Sequence, residues 1–131
     1  MIDGNFNSLH PRAIKGILLF NQKEYFEAHE ELEIAWRDEK NKVRELYQGI
    51  LQVGVAYYHI QRRNYAGGKI MLERSSKWLA SFPNTIFDMN IQKLKSDSDL
   101  VYKTLLQLGP ENIANFNPIL FNPIEIHKEV E

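Results

Sequence analysis

The chain has 131 residues, 44% hydrophobic and 25% charged, the size and balance of a single folded domain over residues 1–131. Lys and Arg number 16 against 17 Asp and Glu, a formal net charge of -1, so nothing electrostatic points to nucleic acid or to a membrane as partner. Cysteine is absent, which excludes disulfides, thiolate catalysis and Cys-ligated zinc. The start of the chain does not read as a leader peptide, and no stretch reaches the roughly 18 apolar residues of a membrane span. The expectation is a soluble, cytoplasmic protein.

Residues 1–9 read as an irregular lead-in. His10-Pro11 opens a helix to about Phe20, because proline suits the first turn, where an amide donor has no partner. A second helix runs from about Lys23 to Arg37. At 100° per residue Tyr25, Ala28, His29, Leu32, Ala35 and Trp36 share its core face. Phe26 and Glu33 border that face, and Glu30 lies just beyond. Glu27 and Glu31 point to water. Asp38–Lys42 is a polar break.

A third helix, Val43 to Arg63, is apolar nearly all round and so reads as central. Its polar exception is the stripe Gln48, Gln52 and His59. Gly49 and Gly54 each cost about 1 kcal/mol of helix propensity, which close helix approach would offset. Asn64 caps a fourth helix to about Ala80, packed through Tyr65, Gly68, Leu72, Ser75 and Leu79. Ser81–Met89 is a loop with apolar anchors. A fifth helix runs from Asn90 to Leu108, and Gly109-Pro110 stops it. The proline-containing tail, residues 110–131, reads as extended. Its Phe116, Leu120, Phe121 and Ile124 seek the chain's own bundle or a neighbouring subunit, so homo-oligomerisation is compatible with the sequence.

A forty-residue echo relates the two helix pairs. Tyr25, Ala28, Leu32 and Glu33 match Tyr65, Gly68, Leu72 and Glu73, and Gly16 matches Ala56. Each half resembles a degenerate tetratricopeptide hairpin. The fold class is therefore all-α, with about five helices over residues 10–109 built from two antiparallel hairpins.

Candidate chemistry lies where the second and third helices meet. His29 and Glu33 are four apart and adjoin on one helix face. If Gln48, Gln52 and His59 face them, two imidazoles, two carboxylates and two amides converge. The cofactor is not fixed by these residue types, but a divalent metal suits them: His29, Glu33 and His59 as ligands, with Glu30 accepting a proton from bound water. Gln48, Gln52, Tyr58 and Arg62 are candidate ligand-binding residues, and Tyr58 with Arg62 suits an anionic group. Against this stands a plain structural network of the same residues. HEELE is not H-E-x-x-H, and no Glu-x-x-His pair occurs.

The segments FNQKEYFEAHEELEIAWR and LYQGILQVGVAYYHIQRRNYAGG resemble the domain-of-unknown-function 309 family. Phe20, Asn21, Tyr25, Phe26, His29, Glu30, Leu32, Glu33 and Trp36 fill its first motif, and Gln48, Gly49 and Gln52 its second. The resemblance implies an all-α bundle and carries the label of a metal-dependent hydrolase. The alternative is a non-catalytic scaffold or protein-interaction domain.

Overall fold

His10 opens the first helix with its own side chain. In the computed structural model, which describes residues 4–127, α1 spans Pro11–Asn21, and His10 Nδ1 accepts the Arg12 N–H at 3.0 Å. That bond covers one of the donors a helix start leaves open. α2 (Tyr25–Asp38), α3 (Val43–Gln61), α4 (Tyr65–Leu79) and α5 (Ile91–Leu108) follow. Asn64 and Asn90 cap α4 and α5, accepting the Gly67 and Lys93 N–H groups at 2.9 Å. Gly109, at φ 71°, ends α5. The expected all-α bundle of five helices is what forms.

The forty-residue echo is geometric. Lys23 and Arg63 both adopt the left-handed region, at φ 66° and 60°. The Lys23 N–H bonds the Phe20 carbonyl, and the Arg63 N–H bonds that of Ile60. Glu24 to Leu19 and Asn64 to His59 repeat the next bond of the turn. Small residues then let each pair of helices nest. A Cβ on Gly16 would sit 3.1 Å from the Ala28 carbonyl oxygen, and one on Gly68 3.5 Å from that of Ala56. Both crossings use the same two positions, with glycine and alanine exchanged.

α3 is the centre. Eleven of its 19 residues are buried, and the buried apolar side chains among the described residues form one cluster. Tyr57 binds the parts together: its ring lies 5.9 Å from Phe20 of α1, 5.5 Å from Tyr25 of α2 and 4.6 Å from Phe121 of the tail. Such aromatic pairs add about 0.5–1.5 kcal/mol each beyond area burial.

Three segments and one side chain differ from the sequence reading. The lead-in contains a 3-10 turn, Phe6–Ser8, and buries Phe6 and Leu9. Residues 81–89 are not merely a loop: β1 (Thr85–Ile86) pairs antiparallel with β2 (Met89–Asn90). Phe87 and Asp88 turn between them at positive φ, as a tight two-residue hairpin requires. The tail is only partly extended. Pro110–Asn115 and Pro118–Leu120 form 3-10 turns, which accept proline at their first position because that amide needs no partner. Glu31 does not face water. It pairs with Arg12 of α1 at 3.0 Å and is 14% exposed, because the first-hairpin crossing brings that side of α2 under α1. No helix among the described residues is long and apolar enough to cross a membrane.

The tail docks on its own bundle through Phe116, Phe121 and Ile124. Asn21 clamps it. Its side-chain amide donates to the Ile124 carbonyl at 3.0 Å, and its Oδ1 accepts the Ile124 N–H at 2.7 Å. Ile126 then bridges Met89. Asn21→Ala should destabilise the chain by about 1–3 kcal/mol, because two backbone groups lose their partners. Urea unfolding measures the loss, and hydrogen exchange should show faster exchange at Ile124 than in α3. Unchanged stability would mean the clamp carries no load.

Candidate functional site

The second-helix motif separates into structural and exposed members once folded. Phe20, Tyr25 and Leu32 are core. Asn21 holds the tail. Trp36 lies under the Arg44 guanidinium, 4.5 Å from ring centre to Cζ. Gly49 is where α4 presses on α3, since a Cβ there would lie 2.7 Å from Leu79 Cδ2. Phe26, by contrast, is 50% exposed. Glu30 is exposed as well, and among the described residues it makes no hydrogen bond or ion pair.

His29 and His59 come together. Both line one cavity of about 130 Å³, with Tyr25, Phe26, Val55 and Tyr58. Phe26 stands 5.7 Å from both the His29 and the Tyr58 rings. The wall is therefore aromatic, with two imidazoles set in it. Glu30, Glu33, Gln48, Gln52 and Arg62 do not line this cavity. Arg62 instead lies over the Tyr58 ring at 5.5 Å.

Each imidazole has one nitrogen engaged. His29 Nε2 lies 3.2 Å from Glu33 Oε2, and Glu33 also pairs with Arg37. A carboxylate only accepts, so Nε2 carries the proton and neutral His29 keeps an acceptor at Nδ1. That Nδ1 is buried and has no partner among the described residues. His59 shows the opposite pattern. Asn64 Oδ1 accepts the Gly67 N–H, which turns the amide nitrogen toward His59 Nδ1 at 3.3 Å. An amide nitrogen donates, so Nδ1 accepts and neutral His59 carries its proton on Nε2. His29 Nδ1 is sealed behind the cavity wall, so the surface that the cavity presents is almost wholly apolar. Gly67 gives the ring its place, since a Cβ there would meet His59 Cδ2 at 2.8 Å.

Among the described residues the Oε1 of Gln52, which is 7% exposed, has no partner, and Trp36 Nε1 and Tyr57 Oη are likewise buried and unpartnered. With His29 Nδ1 these orphaned atoms all belong to α2 or α3. Buried polar atoms are usually satisfied, so this helix pair departs from the norm. Sequence spacing could not have found Tyr25 as a cavity wall, because its position also reads as core.

Among the described residues no three His, Asp or Glu side chains are grouped to hold an ion. His29 and Glu33 are paired with one another, and Glu33 is further neutralised by Arg37.

Residues 13–71 match the family described as Domain of unknown function (DUF309), which bears out the resemblance read from the sequence. The chain is also 36% identical over 70 residues to "Uncharacterized protein YpuF" of Bacillus subtilis (strain 168). That stretch is 53% of this chain and 40% of the relative, so the chain spans well under two thirds of that protein.

Burial pushes the His59 imidazole below its ordinary pKa. The unfolded chain therefore takes up this proton first. The His59 contribution to stability is complete above the ordinary histidine value of about 6.5 and is lost as pH falls below it toward the lowered folded value. An NMR titration should place His59 below that ordinary value, and a value at or above it would contradict the assignment.

Proposed function

We propose, for a chain whose residues 13–71 match the DUF309 family, that the α2–α3 cavity binds a small organic ligand. The ligand has an apolar body about the size of an aromatic ring and one group that both donates and accepts a hydrogen bond, a hydroxyl or a primary amide. The observation that carries the reading is the shared cavity of His29 and His59, with the buried His29 Nδ1 unpartnered. A volume of about 130 Å³ approaches that of a cavity, about 150 Å³, known to take benzene. Phe26, Tyr25 and Tyr58 supply the apolar contact, and His29 Nδ1, sealed behind that wall, supplies orientation once the half-exposed Phe26 ring shifts aside.

A metal-dependent hydrolase, which the family resemblance implied, needs at least three donors around one point. The described residues do not supply them, so no hydrolytic step is derived and Glu30 receives no role. The scaffold reading draws on a different observation. Asn21, Gly49 and Trp36 of the two motifs serve packing and tail docking, as any structural signature would.

Benzyl alcohol and toluene separate the two readings, because they differ in the hydroxyl alone. Benzyl alcohol should shift the His29 and His59 ring resonances, with toluene binding about tenfold more weakly. His29→Leu should abolish that preference while leaving the fold intact. If neither probe binds and His29→Ala and His59→Ala each lose several kcal/mol, about the cost of a broken buried network, the scaffold reading stands.

A further inference from the structure

We propose a second site, at the other end of α2, that binds a small organic amine through the Glu39 carboxylate. There the α2–α3 connector, the lead-in and the β1–β2 hairpin enclose a cavity of about 430 Å³. That volume falls in the range of ordinary ligand sites. Leu9, Val43, Phe82 and Ile86 form apolar walls, and Glu39 and Tyr47 stand among them. The wall residues come from three separate segments, so no single motif announces the site.

Glu39 is held in place by neutral donors. The Tyr47 hydroxyl donates to Oε1 at 3.2 Å and itself accepts the His10 N–H at 3.1 Å. Asn41 donates to Oε2 through its side-chain amide at 3.2 Å and its backbone N–H at 3.4 Å. Burial, first of all, pushes the Tyr47 phenol up to about 12, so it remains a donor at neutral pH. Among the described residues Glu39 forms no ion pair. Lys42 lines the same cavity without pairing to it. A fixed carboxylate without an ion-pair partner, in a chamber whose walls are part apolar and part polar, favours a cation with a hydrophobic body, against the opposing charge of Lys42 on the same lining. An anionic ligand would meet Glu39 unfavourably.

Three probes that differ only in their end group test this on the folded chain by amide NMR titration: phenethylamine, 2-phenylethanol and 3-phenylpropionate. Phenethylamine should shift the Glu39, Val43 and Ile86 amides at millimolar concentration. The alcohol should bind about tenfold more weakly and the carboxylate not measurably. Glu39→Gln should remove the preference for the amine while leaving alcohol binding as it was. The proposal is overturned if the alcohol or carboxylate binds as well as the amine. Shifts confined to other surfaces, no shift at all, or an undiminished preference in Glu39→Gln would equally overturn it. Should Glu39→Gln fail to fold, the ranking of the three probes on the unaltered chain decides by itself.

Discussion

The structure depends on one helix that cannot face water. Along its middle α3 buries Leu46, Tyr47, Ile50, Leu51, Val53, Ala56 and Tyr57, which cover its circumference except for the stripe of Gln48, Gln52 and His59. At about 25 cal/mol per Å² of apolar surface, leaving any side uncovered is costly. The chain therefore wraps α3 with α2, α4 and the tail. Close approach makes the wrapping work, and Gly16, Gly49 and Gly68 are where a side chain would collide. Tyr57 then meets a ring from each of α1, α2 and the tail.

The candidate ligand cavity follows from the same constraint. Near its C-terminal end α3 is less completely covered, and Val55, Tyr58 and His59 are only half-buried. α2 begins opposite with Tyr25, Phe26 and His29. The small chamber between them collects the imidazoles that a fully packed interface would have excluded. Toward the other end of the same pair Gln52 is buried deeper, and its unpartnered oxygen shows that packing took precedence over hydrogen bonding there.

Much of this was legible beforehand. Helix boundaries came within two residues, because proline, asparagine caps and glycine act locally. The packing face of α4 follows from period alone: Gly68, Leu72, Ser75 and Leu79 are buried, and Tyr65 at its start is half-buried. The forty-residue echo was legible as residue types, and the paired left-handed turns at Lys23 and Arg63 give it physical content. Other residues resisted such reading. Glu31 looked solvated on its helix wheel, yet it meets Arg12 across a hairpin.

What the sequence determined by itself is the set of helices, their apolar faces and the all-α class, since each rests on interactions a few residues apart. Only the tertiary structure decided what the polar residues do. Asn21 became a clamp because Ile124, more than a hundred positions away, returns to it. His29 and His59 came to share a cavity while Glu30, Glu33, Gln48 and Gln52 stayed outside it. Glu39 acquired a chamber only when the lead-in and the β-hairpin closed over it. The reason is rotational: a helix wheel ranks residues on one cylinder. Which polar edges meet depends on how two cylinders turn against each other, and here the small-residue crossings set that turn.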